Sequence, residues 1–284
     1  MTANTKRIGS FAILAAIYLF AGIAGVLLYR FLPFSYWLRL LCADVAATAV
    51  LFAFSCLLGN ASVYDPYWSV FPPVALTLLA FGRPLTALSQ LHLIAVWVWG
   101  LRLTANWAYT FQGLDHQDWR YTMLREKSGR AYPFVNFFGI HLVPTLIVYG
   151  CMLPAFYSLE HGLRTGVFSY LFVLLSLSAA AWQAVADCQM HAFRRHHHGE
   201  LIHSGLWKRA RHPNYLGEIL MWWGIALSVV FAPGGEGWLL AGALSNTLLF
   251  VFISIPMADA RQAQKPGYAE YRAQTRMLLP IGKK

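Results

Sequence analysis

Charge is what this chain has least of. Only 12 % of its 284 residues are Asp, Glu, Lys or Arg, about half of the roughly 25 % usual in soluble domains. That leaves too little polar surface to coat a water-soluble fold, and a mean hydropathy of +0.49 agrees. Cysteine is also scarce: Cys42, Cys56, Cys151 and Cys188 sit within or at the ends of apolar runs and form no CxxC pair. This argues against a disulfide framework or a thiolate metal site. A GxGxxG fingerprint is missing, so no Rossmann domain is expected. The sequence also lacks a repeat of fixed period, a low-complexity tract and a linker long enough to divide it.

Apolar sequence is abundant. Runs at approximately 8–32, 36–58, 67–82, 85–110, 134–157, 167–188, 213–232 and 238–257 are mostly long enough to cross about 30 Å of hydrocarbon as helix. The run 67–82 is short and holds Pro72 and Pro73, which suits a broken or re-entrant piece facing protein or water. The expectation is an all-α, polytopic membrane helical bundle of seven or eight transmembrane helices in a single integral membrane domain, 1–284. Lys6 and Arg7 precede the first run as in a signal peptide. Its length of about 20 apolar residues and the lack of a small-residue cleavage site before Arg30 instead mark a membrane anchor.

The basic residues give the sidedness. Of 22 Lys and Arg, 17 gather at the N-terminus, in 111–133, in 189–212 and in 257–284. The positive-inside rule places these together on the cytoplasmic side. With both termini inside, the span count is even, which favours eight. Topology thus accounts for the net charge of +10, and no nucleic-acid partner is needed to explain it.

Function is sought in polar residues that sit where apolar ones would cost less. The segment 203–224 starts basic and then enters an apolar helix carrying Glu218, a costly position for an unpaired acid. Helical spacing puts Asn214, Glu218 and Trp222 on one face, with Tyr215 beside them. Pro213 suits a first helical turn whose free N–H groups face an anion or amide. Arg102 lies deep in the run 85–110, with Asn106 and Tyr109 following at helical spacing. In 60–73, Asp65 stands between two tyrosines, Tyr64 and Tyr67, at the mouth of an apolar segment. Partial burial would raise its pKa and let it donate to a carbonyl; it also suits a cap for a helix starting near Pro66. Five of the ten histidines fall in 191–203. A di-iron oxygenase needs such boxes to converge from several helices, whereas the other histidines stand alone, so a hydrated loop is the simpler reading.

The run GLWKRARHPNYLGE, 205–218, resembles the signature of the steroid 5α-reductase superfamily, which includes the sterol C-14 and C-7 reductases and, more distantly, isoprenylcysteine carboxyl methyltransferases. Upstream, AWQAVADCQMHAFRRH carries Asp187, Gln189, Phe193 and Arg194 in a similar pattern of an acid before a basic patch. Downstream, KPGYAEYRAQTRMLLP resembles the closing segment with its paired tyrosines. The resemblance is to the small bacterial branch and covers roughly 180–281. DHQDWRY, 115–121, is similar to a motif of that branch, and reads equally as an interfacial aromatic anchor.

The resemblance implies an N-terminal helical hairpin at 1–60, substrate-side helices and a cytoplasmic loop at 61–133, and a cofactor-binding part at 180–281. It further implies an NADPH site contacted by Arg102, Asn106, Asp187, Arg194, Arg211, Asn214, Tyr215, Glu218, Arg261, Tyr268 and Tyr271. Fixed cations there would meet the phosphates. Tyr64 and Asp65 precede Pro72 as a Gln-Glu pair precedes a proline in the animal enzymes, and Trp99 falls where those carry a carbonyl-binding tyrosine. The implied activity is NADPH-dependent reduction of a conjugated carbon–carbon double bond, with Asp65, Tyr64 and Trp99 on the catalytic side. The implied substrate is an apolar steroid-like or isoprenoid molecule entering from the bilayer, and the implied location a bacterial inner membrane, with the chain a monomer. No metal is called for. The alternative is an S-adenosylmethionine-dependent isoprenylcysteine or lipid methyltransferase, which shares an RHPxYxG-like segment. A non-catalytic lipid-binding or scaffold protein is the third class.

Overall fold

The computed structural model describes residues 3–281. Lys283 and Lys284, two of the tail charges counted above, lie outside the described residues, as does Met1. The described chain is helical throughout, with one isolated bridge between Ala210 and Arg276. Its α-helices are α1 Ala3–Phe31, α2 Tyr36–Leu57, α3 Tyr67–Ala80, α4 Ala87–Thr110, α5 Trp119–Ser128, α6 Tyr132–Phe134, α7 Val143–Glu160, α8 Val167–Arg194, α9 Pro213–Val230, α10 Ala241–Leu249, α11 Ile255–Gln262 and α12 Tyr268–Gln274. Among the described residues, five helical stretches are long and apolar enough to cross a membrane: Thr5–Phe31, Tyr36–Leu57, Trp119–Glu160, Val167–Arg194 and Gly237–Gln262. The chain is thus an integral membrane protein by length and composition. The short run 67–82 becomes α3, of 14 residues, too short to span about 30 Å.

The chain forms two compact units. The first is Met1–Pro72 with Leu103–Tyr149, and the second is Pro73–Arg102 with Gly150–Lys284, so 1–60 falls in the first, 180–281 in the second, and 61–133 in both.

In the first unit α1 packs along α2, where Gly25 lets the backbones approach: a Cβ there would stand 3.1 Å from the Ala43 carbonyl oxygen. Leu14, Ile17, Leu51, Val63, Tyr64 and Tyr67 build the core. Gly59, at φ +64°, ends α2, and Asn60 caps the following 3₁₀ turn by accepting from the Ser62 N–H. Asn60 also donates to the carbonyls of Leu114 and His116, at 2.7 and 3.1 Å. Asp118 N–H donates to Ser62 Oγ, at 2.9 Å. These bonds pin the segment carrying Tyr64 and Asp65 to the loop before α5. From α6 to α7 the helix widens into a π stretch, Val135–Leu142.

The second unit is organised by α8 against α9, its most extensive helix pair. Gly217 and Gly224 fall two turns apart on α9, and a Cβ at Gly224 would meet the Phe172 carbonyl oxygen at 2.6 Å. Gly242 lies closer still to the backbone of Gly150. Such contacts bring helices together where lipid offers no hydrophobic drive. His92 of α4 bonds Ser158 of α7 at 2.9 Å and Ser228 of α9 at 2.7 Å, tying three helices with one imidazole.

Candidate functional site

The second unit gathers most of the residues singled out from the sequence. Glu218, 2 % exposed, lies in α9 one and a half turns past Pro213. It accepts from Trp99 Nε1 at 2.8 Å, Gln183 Nε2 at 3.1 Å and Trp222 Nε1 at 2.9 Å. Three neutral donors from α4, α8 and α9 therefore hold this acid in an otherwise apolar setting. The shared face of Glu218 and Trp222 follows from their spacing of four. Gln183 was not singled out in the sequence, because its role depends on how α8 meets α9. Trp99, expected to donate to a substrate carbonyl, directs its indole N–H to Glu218 and packs edge-on against Trp222, ring centroids 4.8 Å apart.

One turn further along α4, Arg102 pairs with Asp187 of α8 at 2.8 Å, both side chains 14 % exposed. Asn214 bonds the same carboxyl. Arg102 also acts electrostatically on Glu218, and Asp187 on Arg194. Arg194 and Arg261 in turn lie near Lys265, whose ammonium is held below its usual range by burial and by those two guanidiniums. Arg194 and Arg261 are exposed, and Lys265 is half-buried and donates to the Glu200 carbonyl at 2.9 Å. The result is a line of interacting groups from the buried Glu218 through the Arg102–Asp187 pair to three basic side chains at or near the surface. Along it, Arg102 Nε and Nη2 and Gln183 Oε1 are buried without a partner.

The remaining candidates lock the C-terminal segment in place. Arg211 reaches Asp259 through Nη2 at 3.3 Å and donates to the Thr275 carbonyl at 2.9 Å, while His212 Nε2 bonds Asp259 at 2.8 Å. His212 stacks on Tyr215, which in turn packs against Phe250. Tyr271 donates to the Trp207 carbonyl at 2.7 Å. Burial and the Asp259 carboxylate push the Tyr268 hydroxyl up to about 12. Asp259 and His212 had not been picked as site residues, since their pairing joins positions 47 apart. Two adjoining clefts, of about 520 and 380 Å³, share Arg211, Arg272 and Met277. In the histidine-rich loop, His197 stacks on Phe193 and pairs with the exposed Glu200.

Asp65, Tyr64 and Asn106 lie in the first unit. Asp65 accepts from the Tyr121 hydroxyl at 2.6 Å. Burial raises its carboxyl from 3.8 to about 6, against the opposing pull of Arg120 and the Tyr121 bond. Tyr64, 2 % exposed, shares a hydrogen bond with Thr145 at 2.8 Å rather than joining the Asp65 carboxyl. Asp118 caps α5 by accepting from the Arg120 N–H, and pairs with the Arg120 guanidinium at 2.8 Å. Helix thus begins at Trp119, within what the sequence suggested was loop.

The family described as protein of unknown function, DUF1295, matches residues 51–275. The chain is also 25 % identical to an uncharacterized protein of the fission yeast Schizosaccharomyces pombe, C594.04c, over 61 % of this chain. The match spans 58 % of the yeast protein's length. No solved structure matches the chain. With the match running from α2 to the end of α12, the chain belongs to the DUF1295 family, a member of the steroid 5α-reductase-like superfamily.

Proposed function

We propose that this protein is an NADPH-dependent membrane reductase of a conjugated carbon–carbon double bond in an apolar, steroid-like or isoprenoid substrate. The observation that carries the reading is the line of polar and charged groups from Glu218 through Arg102 and Asp187 to Arg194, Arg261 and Lys265. A dinucleotide phosphate suits such a line. Its phosphates call for several cations, and its amide and hydroxyl groups match the partnerless atoms of Arg102 and Gln183. In this reading Arg194, Arg261 and Lys265 hold the phosphates, while Arg102, Asn214 and Glu218 orient the polar ring end. Trp99 and Gln183 keep Glu218 in place. The cofactor, when bound, supplies hydride. Asp65, which titrates near pH 6, holds a proton for a substrate carbonyl and stabilises the charge that develops there.

We also read α4 and α9 as spans beyond the five above, giving seven, in an inner membrane. The polar residues of α4 and Glu218 of α9 lower their hydropathy because they serve this site.

Purified protein tests the proposal through NADPH binding and NADPH oxidation with a 3-oxo-4-ene steroid or another enone. Glu218→Ala weakens NADPH binding, whereas Asp65→Asn spares binding and lowers turnover. Normal turnover by both variants, or a preference for S-adenosylmethionine over NADPH, would overturn it.

A further inference from the structure

Arg272 and Arg276, which the proposed cofactor site does not use, line the clefts beside the C-terminal segment. The smaller cleft runs along Val251, Ile255 and Pro256, which belong to the apolar stretch Gly237–Gln262, and reaches Arg272 and Met277. The larger shares Arg272 and Met277 and continues past Arg276 to Leu278 and Leu279. Together they lead from the flank of a membrane-crossing helix to a pair of exposed guanidiniums.

The backbone fixes this surface in place. The carbonyls of Arg276 and Met277 accept from the Arg211 and His212 N–H groups at 2.9 and 3.2 Å, which holds the tail against the start of α9. Arg276 Nε donates to the Ile281 carbonyl at 3.1 Å and folds the end of the segment back on itself. The order along the chain is cationic and then apolar: Arg272 and Arg276 are followed by Met277, Leu278, Leu279 and Ile281. Leu279 and Ile281 are 54 % and 59 % exposed. Apolar side chains left open directly beyond basic ones suit the boundary between headgroups and acyl chains.

Charge then selects the occupant. Among the described residues, those lining the larger cleft include three arginines and no acid. Asp259, in the smaller cleft, pairs with Arg211 and His212, so it offsets Arg211 and leaves the charges of Arg272 and Arg276. Two guanidiniums call for an anion with several acceptor oxygens, such as a phosphate. The apolar wall from Val251 to Met277 calls for a hydrocarbon chain joined to that anion. A free phosphate would leave the wall bare, and an uncharged lipid would leave the arginines unmatched.

We infer that these two clefts form a binding site for an anionic phospholipid of the membrane, its phosphate between Arg272 and Arg276 and an acyl chain along Val251, Ile255 and Met277. The site goes beyond the reductase reading and stands without it, since it requires no cofactor.

The test uses the full chain in an uncharged detergent, without NADPH, titrated with dioleoylphosphatidylglycerol, with dioleoylphosphatidylcholine and with water-soluble glycerol 3-phosphate. The two lipids share their chains and differ in net charge, whereas glycerol 3-phosphate carries the anion alone. The expected result is a rise in the unfolding midpoint that half-saturates at least tenfold earlier with phosphatidylglycerol than with phosphatidylcholine, and no rise with glycerol 3-phosphate. Replacing both arginines, Arg272→Gln with Arg276→Gln, weakens phosphatidylglycerol binding about 25-fold, a factor of about five for each basic residue. Arg272→Gln alone leaves the Arg276 bond to Ile281 intact, weakens binding about fivefold, and serves if the double variant does not fold. The exposed pair Lys127→Gln with Arg130→Gln removes the same charge elsewhere and leaves the affinity unchanged. Equal binding of the two lipids would overturn the inference, as would equal losses in the two double variants, the mark of net charge alone. So would stabilisation by glycerol 3-phosphate that matches the lipid, which would make this a site for a soluble phosphate.

Discussion

Asp65 carries a pH signature that a single substitution removes. Burial holds its carboxyl at about 6 in the folded protein, against 3.8 for an ordinary aspartate, so folding favours the protonated form. Stability therefore falls as pH rises from about 4 to about 6, by at most about 1.4 kcal/mol per pH unit, and levels off above. Unfolding midpoints in detergent across that range should show this decline in the native chain and lose it in Asp65→Asn. A native profile that stays flat or rises would contradict the burial of this acid. At this scale the sequence reveals faces better than partners. Asn214, Glu218 and Trp222 follow from helical spacing alone, whereas Arg102 meets Asp187 across 85 positions, a pairing only the fold creates. Asp44, an acid in the apolar run 36–58, stands in no motif, and only the fold brings the Tyr67 hydroxyl to it.

The helix pair α8 and α9 depends on small residues at close approach. Gly224→Ala places a methyl against the Phe172 carbonyl oxygen and should cost about 1–3 kcal/mol, read as a lower unfolding midpoint. Gly22→Ala in α1 has nothing within 4 Å and should be neutral or slightly stabilising. Equal effects at the two positions would show that α8 and α9 do not pack as described. The apolar runs anticipated α1, α2, α8 and the stretch Gly237–Gln262 closely, because hydrocarbon length is written directly in composition. The start of α5 was hidden, since its polar residues read as loop and its cap is a local bond from Asp118. The π stretch was hidden too. An i to i+5 bond leaves no sequence period, yet it is this register that buries Asn136 and His141.

Across the whole molecule, the uneven distribution of basic residues predicts which way the helices cross. Helix α8 runs between the short loop after α7 and the basic segment after Arg194, so those two segments lie on opposite sides. In intact cells, with native cysteines replaced, His161→Cys should react with a membrane-impermeant maleimide, and Arg195→Cys should react only after lysis. Labelling of both from outside would reject α8 as a span.

The central claim, that the second unit is an NADPH site, is tested most directly by the thermal stability of the purified protein with NADPH, NADH or S-adenosylmethionine. A ligand that binds only the folded state adds about 2.7 kcal/mol at a hundredfold excess over its dissociation constant. The account predicts stabilisation by NADPH, reduced in Glu218→Ala. Stabilisation by S-adenosylmethionine alone would contradict it.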